Sequence, residues 1–380
     1  MSGYQALGGR ILTKPFLVLA AIWILGSMYG IQRFFMDGMG AVSNLNGGYA
    51  WGIWVVYDVV VGTAFACGGY ALAIAVYIFN KGKYHPMIRS ALLASLLGYA
   101  MGGFGAFFDM GRFWQFYEIF LPQNWNFNSV MIEVGLCVAT YIIVLTLEFA
   151  PAVLEKFGQK NLLEKLNKVL FFLIALGVLL PTMHQSSLGT LLINMGYKVH
   201  PLWQTLQMQP IMALITAIIM GFSIVVYEES TVAASFGRKS ESHLLSGLCK
   251  AAAALLGVFL AIRFITLILQ GKLGLIFAGD FASFMFILET ALFVVPLVIL
   301  LSPSRSSSGG QLLIAAVSML LAGAMYRFDA FLITFDPGPG YSYFPSGPEI
   351  MITFSIIALE LMIYLAVIKT LPVLHREEHA

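Results

Sequence analysis

Ten long apolar stretches recur along the chain and constrain its fold more than any other feature. They cover residues 15–35, 51–79, 88–110, 128–150, 169–193, 209–227, 251–270, 281–301, 311–333 and 350–368. A helix of about 20 residues crosses the hydrocarbon core of a bilayer. Barrel strands are shorter, about ten residues, and alternate strictly between apolar and polar side chains. The sequence therefore predicts an all-α polytopic membrane protein with about ten transmembrane helices.

Composition supports this fold class and excludes several functions. Apolar residues make up 59% of the 380 residues and charged residues 11%, against about 25% charged in soluble domains. A net charge of +2 is too small for a nucleic-acid-binding protein. The cysteines Cys67, Cys137 and Cys249 are far apart and form no CxxC motif. We therefore expect buried thiols, with no iron–sulfur cluster or zinc site in this chain.

The distribution of Lys and Arg predicts the orientation. Fifteen of these residues fall in one set of loops and four in the opposite set. The first set is Arg10, Lys14, Lys81, Lys83, Arg89, Lys156, Lys160, Lys165, Lys168, Arg238, Lys239, Lys250, Arg305, Lys369 and Arg376; the second is Arg33, Arg112, Lys198 and Lys272. Because cytoplasmic loops are enriched in positive residues, both termini are predicted to be cytoplasmic. The first apolar run is also too long for a cleavable signal peptide and lacks an A-x-A-like site.

The order of the spans suggests an internal duplication within a single membrane domain, 1–380. Spans two to five (51–193) and six to nine (209–333) run in the same directions and predict two parallel four-helix bundles with two flanking helices. Glu133 and Glu289 lie at similar depth in the two halves. The segment 153–168 alternates leucines with Lys and Glu at helical spacing, which predicts a cytoplasmic amphipathic helix. The outer loop 334–348 fits either a rigid docking surface or a plain turn.

Four ionisable side chains lie inside consecutive spans, where such groups are costly and often functional. At ~1.5 Å per residue, they lie below the outer surface at depths of roughly 10 Å for Asp58, 8 Å for Glu133, 13 Å for His184 and 16 Å for Tyr99. Either each side chain only hydrogen-bonds neighbouring helices, or together they line a polar pocket. We favour the pocket. Pro181, followed by polar side chains up to Ser187, further predicts a broken helix lining a cavity.

The other charged residues within the spans have simpler interpretations. Arg263, Glu289, Arg327 and Asp329 balance in charge, which favours buried structural ion pairs. Glu148, Glu228 and Glu229 lie at the predicted cytoplasmic ends of their spans and could be interface residues. An acid at a helix C-terminus opposes the helix dipole, however. Glu148 and Glu228 are therefore also candidates for proton entry.

Several uncommon motifs resemble a known family over nearly the whole chain. The chain is similar to the membrane subunit of hydrogenase-2-type [NiFe] uptake hydrogenases, within the NrfD-like, or polysulfide-reductase-like, quinone-reactive family. The motifs are Leu180–Ser187 (LPTMHQSS), Gly196–Gln204 (GYKVHPLWQ), Leu45–Gly48 with Trp51-Gly52, Ala66–Gly69, Leu147–Ala152, Phe277–Phe281 and Tyr341–Pro345.

The resemblance implies a function. Such a subunit lies in the bacterial cytoplasmic (inner) membrane, anchors a periplasmic hydrogenase and exchanges electrons with menaquinone without redox centres of its own. Its implied partners are a large [NiFe] subunit, an iron–sulfur small subunit and a four-cluster ferredoxin-like subunit. Family residues matching Glu133, His184, Tyr99 and Glu228 are associated with quinone or proton chemistry.

The implied reaction assigns provisional roles to the site residues. Quinone reduction takes two electrons and two protons, so Glu133 and His184 are expected as proton donors. Tyr99 and Asp58 are expected as polar groups of the pocket, with Tyr99, His184 and Asp58 binding the quinone. Family members are often labelled b-type cytochromes, yet His184 is the one histidine within the spans. A bis-histidine haem is therefore not expected.

A different class of protein remains open on sequence grounds. Duplicated helix bundles with polar residues near the middle of the membrane also fit a carrier for a small ion or solute.

Overall fold

The computed structural model describes residues 3–238 and 241–375. Lys239, Arg376 and His379, which entered the charge and histidine counts, lie outside the described residues. The α-helices are α1 (Lys14–Ile31), α2 (Met39–Val42), α3 (Gly62–Phe65), α4 (Gly68–Ala73), α5 (Ile88–Asp109), α6 (Val130–Lys156), α7 (Lys160–Met195), α8 (Gln209–Phe236), α9 (Ser242–Leu269), α10 (Phe281–Leu300), α11 (Pro303–Ser306), α12 (Gly309–Phe328) and α13 (Gly347–Thr370).

Shorter elements extend or connect these helices. Four π-helical turns cover Gln32–Met36, Val55–Val61, Ile74–Ile78 and Asp329–Ile333. The 3₁₀ helices are Gly82–Met87, Phe113–Phe120, Pro122–Asn124, Gly196–Lys198, Pro201–Trp203, Leu206–Met208 and Leu273–Phe277. Strands β1 (Tyr4–Gln5) and β2 (Leu374–His375) form a short antiparallel pair in which Tyr4 lies opposite His375.

The described part of the chain contains ten helical segments that are long and apolar enough to cross a membrane. Each corresponds to one predicted stretch, so the prediction of an all-α polytopic membrane protein is confirmed. The segments are Lys14–Met36, Val55–Ile78, Gly82–Asp109, Val130–Lys156, Lys160–Lys198, Leu206–Phe236, Ser242–Leu269, Phe281–Leu300, Gly309–Ile333 and Gly347–Thr370.

Two compact units make up the fold, and each is discontinuous in sequence. Unit one comprises the described residues within 1–63, 88–180 and 337–380, and unit two those within 64–87 and 181–336. These boundaries do not coincide with the predicted bundles, 51–193 and 209–333, and the bundle arrangement stays a prediction.

In unit one, α5 packs against the Val55–Val61 π-turn, α6 and α13, and α1 packs against α13. Small residues permit the closest approach, because a side chain on Gly26 of α1 would collide with Ser355 of α13. The Ser355 hydroxyl donates to the Trp23 carbonyl oxygen at 2.9 Å. One buried apolar cluster contains Trp54 and Phe108.

In unit two, α8 packs against α4, α9 and α12, and α10 packs against α12. A side chain on Gly221 of α8 would collide with the Cys67 carbonyl oxygen, so glycine permits this contact with the start of α4. Cys67, Cys137 and Cys249 are all buried, as predicted, and none of the three forms a disulfide bond.

The predicted amphipathic helix over 153–168 is wrong. Residues 153–156 are the last turn of α6 and residues 160–168 are the first turns of α7, separated by a tight turn at Gly158. Gly158 adopts a positive φ of 67°, a conformation that glycine adopts without a side-chain penalty. The alternating Leu, Lys and Glu pattern therefore reflects two helix ends.

The loop after Phe335 is tied to the start of α13. Ser346 caps α13 in a capping box with Glu349. The fully buried Glu349 carboxylate accepts hydrogen bonds from Ser43 Oγ at 3.1 Å, the Asn44 backbone N–H at 3.0 Å and the Tyr343 hydroxyl at 2.6 Å. Burial, and then the bond to Glu349, raise the pKa of the Tyr343 hydroxyl. Glu349 thus organises this loop, a role that the sequence pattern did not reveal.

Candidate functional site

Asp58 lies in the interior of unit one, within the Val55–Val61 π-turn. Asp58 is 4% exposed, and its Oδ2 has no hydrogen-bond partner among the described residues. A Cβ on Gly105 of α5 would collide with this carboxylate, and a Cβ on Gly102 would lie 2.7 Å from the Asp58 carbonyl oxygen. Glycines therefore allow α5 to lie directly against Asp58. π-helical turns are often found at functional sites.

Tyr99 and Glu133 occupy α5 and its neighbour α6. Tyr99 is fully buried and packs edge-on against Tyr141, with 4.6 Å between ring centroids. Glu133 lies in the first turn of α6, which begins at Val130, and is partly exposed. It is therefore nearer the helix end than the sequence predicted. Asp58, Tyr99 and Glu133 all belong to unit one, on α5 and on two elements packed against it.

Two further charged side chains near the predicted outer end of α5, one partly and one fully buried, were not predicted as site residues. Asp109 accepts a hydrogen bond from the Gly52 backbone N–H at 3.0 Å. Arg33, predicted to lie in a loop, is instead 2% exposed in the Gln32–Met36 π-turn. It donates to the Phe108 and Met110 carbonyl oxygens, at 3.4 and 2.7 Å. A cation at these last carbonyls complements the helix dipole.

Glu360 of α13 is another acid that the sequence reading missed. It is partly buried and lies close enough to Asp58 and Tyr57 for electrostatic interaction. Its position ten residues before the end of α13 at Thr370 places it well inside the span. A single acid within the apolar run 350–368 was the signal that could have identified it.

Glu148 lies farther from its helix end than predicted. It precedes Lys156, the last residue of α6, by eight residues, or roughly 12 Å. Its carboxylate lies against Gly177 of α7, where an added Cβ would come within 2.7 Å of Oε1. The dipole effect is confined to the last turn of a helix. The prediction that Glu148 opposes the dipole at the end of its helix is therefore wrong.

Glu228 requires the same correction in unit two. The helix α8 continues eight residues beyond it to Phe236 and ends at Gly237, whose φ is 65°. Glu228 is 8% exposed, so it is a buried acid inside the helix.

His184 is 1% exposed in unit two, on an unbroken α7. The predicted helix break after Pro181 is therefore wrong. The polar side chains bond along their own helix: Ser186 Oγ donates to the Thr182 carbonyl oxygen and Ser187 Oγ to the Met183 carbonyl oxygen, both at 2.8 Å. Such bonds satisfy hydroxyl groups in an apolar interior without interrupting a helix.

The ion pairs predicted in unit two are confirmed in part. Arg263 pairs with Glu289, and both are buried. Arg327 instead donates to neutral acceptors, Gln185 Oε1 at 3.0 Å and the Ala213 carbonyl oxygen at 2.9 Å. It is also close enough to His184 to interact electrostatically. Arg327 therefore places positive charge beside His184.

A cavity of about 300 Å³ lies in unit two between the end of α7 and the start of α8. Its lining includes Leu192, Tyr197, Gln204 and Thr205. Its lining is mainly apolar with a few polar groups.

His200 lies in the connection that follows α7. Its side chain accepts from the Leu202 backbone N–H at 3.4 Å and its ring packs edge-on against Trp203. Burial lowers the pKa of His200, while nearby Asp280 opposes and Lys272 reinforces that effect.

The described histidines of unit two do not form a buried pair of the kind that a bis-histidine haem needs. His85 and His243 are exposed, and His200 lies in the connection after α7. The described residues of unit two thus offer no second buried histidine to pair with His184. Nor do the described residues contain a group of three or more His, Cys, Asp or Glu side chains that could hold a metal ion.

These features define a class: an integral multi-pass helical protein with acids, tyrosines and one histidine buried inside its spans. The family model for the polysulphide reductase NrfD matches residues 41–334. The chain belongs to the NrfD family, as its motifs predicted.

Two relatives of this chain carry names that state a function. It is 46% identical over 372 residues, 97% of this chain and 95% of the relative, to the "Probable Ni/Fe-hydrogenase 2 b-type cytochrome subunit" of Escherichia coli. It is also 26% identical over 189 residues, 47% of this chain and 43% of the relative, to the "Menaquinone reductase, integral membrane subunit" of Nitratidesulfovibrio vulgaris.

Proposed function

We propose that this chain is the membrane anchor and quinone-reactive subunit of a [NiFe] hydrogenase, and that it passes electrons from an iron–sulfur partner to menaquinone. The observation that carries this proposal is the 46% identity along almost the full length of a hydrogenase 2 membrane subunit. The relative named as a menaquinone reductase subunit supports the choice of substrate. The chain would lie in the bacterial inner membrane, with the hydrogenase on the periplasmic side and both termini in the cytoplasm.

The chemistry assigned to this chain is proton delivery and quinone positioning. Reducing a quinone to a quinol consumes two electrons and two protons. In this proposal the electrons come from an iron–sulfur cluster of the hydrogenase partner, as the similarity to a hydrogenase membrane subunit implies. The protons must come from side chains near the quinone oxygens.

In unit one, we assign proton donation to Glu133 and quinone positioning to Tyr99 and Asp58. Tyr99 is fully buried and packs edge-on against Tyr141. Asp58 has a buried oxygen without a hydrogen-bond partner among the described residues, which suits a group that accepts a proton or a ligand donor.

In unit two, we assign quinone binding and a second proton donor to His184. Its buried imidazole lies near the Arg327 cation. A fixed positive charge stabilises negative charge that develops on a bound substrate oxygen.

Glu148 and Glu228 are proposed to start proton paths from the cytoplasm. Each lies eight residues inside the predicted cytoplasmic end of its helix, α6 or α8. Drawing quinone protons from this side would conserve the gradient that hydrogen oxidation creates outside.

Purification from native membranes tests the function. A tag on this chain should capture a large [NiFe] subunit, an iron–sulfur small subunit and a four-cluster ferredoxin-like subunit. The captured complex should reduce a menaquinone analogue with hydrogen. The same complex stripped of this chain should reduce only an artificial dye. A chain isolated without iron–sulfur partners, and active in solute uptake by vesicles, would establish the carrier instead.

A further inference from the structure

The buried carboxyl group of Asp329 has no role in the proposed function. Asp329 is the first residue of the Asp329–Ile333 π-turn that extends α12, and it is 0% exposed. Neither Oδ1 nor Oδ2 has a hydrogen-bond partner among the described residues. An ionised carboxylate in such surroundings is very costly, because it loses its hydration without gaining donors.

A second carboxyl group, that of Glu289 on α10, is its neighbour. Glu289 pairs with Arg263 Nη1 through Oε1. Its Oε2 accepts hydrogen bonds from Trp203 Nε1 at 2.8 Å and from Arg263 Nη2 at 3.3 Å. Three N–H groups therefore hold Glu289 as an oriented carboxylate. The Asp329 carboxyl lies within hydrogen-bonding reach of it.

The surrounding charges do not neutralise both acids directly. Arg263, on α9, lies close enough to Asp329 to interact with it electrostatically, but its guanidinium donates hydrogen bonds to Glu289. Arg327 precedes Asp329 by two residues on the same helix, a spacing at which side chains do not face each other. Its Nη2 donates to Gln185 Oε1, to the Ala213 carbonyl oxygen and to Thr216 Oγ1. Tyr326 lies beside Arg263, with 5.5 Å between its ring centroid and the guanidinium carbon. The Tyr326 hydroxyl has no hydrogen-bond partner among the described residues.

We propose that Asp329 and Glu289 share one proton, so that unit two contains a resident proton-binding site separate from the residues assigned to quinone chemistry. The proton resides on Asp329 and is donated to Glu289 Oε1 or Oε2. This arrangement removes the repulsion between two adjoining carboxylates and gives Asp329 the hydrogen bond that the ionised form lacks. Glu289 remains the anion that balances Arg263. The site is thus a protonated carboxyl pair beside a salt bridge.

Infrared spectroscopy of the purified complex tests this proposal at rest, without hydrogen or quinone. The wild-type minus Asp329→Asn difference spectrum should contain a carboxylic-acid C=O band that shifts in deuterated buffer. Asp336→Asn, a control at an exposed acid seven residues along the chain, should give no such band. Absence of the band for Asp329→Asn would overturn the proposal. Because no turnover is involved, this outcome is independent of whether the chain reduces quinone.

Stability provides a second test that separates a shared proton from an ordinary ion-pair network. Asp329→Asn keeps a donor toward Glu289 and should leave the thermal unfolding midpoint close to that of the wild type. Glu289→Gln leaves Arg263 buried without its anion and should lower the midpoint clearly. Equal losses in the two variants would show that Asp329 acts as an ionised member of the network and would contradict the shared proton.

Discussion

Replacing Gly105 with alanine tests the close approach of α5 to Asp58. The new Cβ would collide with the Asp58 carboxylate, which is held within a π-turn and cannot swing away freely. Overpacking of this kind costs about 1–3 kcal/mol, whereas alanine itself gains up to about 1 kcal/mol over glycine inside a helix. We therefore expect Gly105→Ala to be neutral to destabilising by about 2 kcal/mol, and to slow menaquinone reduction by displacing Asp58.

Gly103 provides the matched control on the same helix. A Cβ there would lie 3.4 Å from Ile142 Cδ1, the end of a flexible side chain. Gly103→Ala should therefore keep wild-type quinone activity and a wild-type or higher unfolding midpoint in detergent. Thermal unfolding and hydrogen-dependent menaquinone reduction are measured on both variants in the assembled complex. If Gly105→Ala matched Gly103→Ala in both measurements, the packing of Asp58 against α5 would be refuted.

Three other predictions follow from the site. Glu228→Gln should slow quinone reduction but leave dye-linked hydrogen oxidation intact, and wild-type vesicles should build a membrane potential during turnover; electroneutral turnover would contradict the cytoplasmic proton path. The pure chain should show no stoichiometric Soret band, and a band bleached by His184→Ala would establish haem. Hydrogen bonds from the Ser283 hydroxyl and backbone N–H lower the pKa of Asp280, which caps the start of α10. The ionised cap therefore stabilises α10 fully at a pH above the ordinary carboxyl pKa, and this stabilisation is lost as the pH falls through the lowered pKa. Asp280→Ala should lower the unfolding midpoint at pH 7 more than in strong acid.

The ten spans could be predicted because lipid leaves the backbone few alternatives, so length and hydropathy alone identify a helix. Burial of Asp58, Tyr99 and His184 was also predictable, since each lies inside an apolar run. The family followed from motifs such as those around His184 and Trp203.

Other features depend on tertiary contacts that no local pattern records. Pro181 predicted a break, yet α7 continues through it, and the Ser186 and Ser187 hydroxyls donate to carbonyl oxygens of the same helix. Glu148 and Glu228 were placed at helix ends because the predicted apolar stretches end at residues 150 and 227, although both helices extend eight residues beyond the acids. Glu360 was missed because its proximity to Asp58 arises from two segments about 300 residues apart.

The central claim is that this chain delivers protons to a quinone through Glu133. Glu133→Gln keeps the size and polarity of the side chain and removes its transferable proton. The partly exposed position in the first turn of α6 makes the change mild for folding. In the purified complex, hydrogen-dependent menaquinone reduction should be abolished, while reduction of an artificial dye by the hydrogenase partner should continue at the wild-type rate. A wild-type rate of menaquinone reduction in Glu133→Gln would contradict the claim.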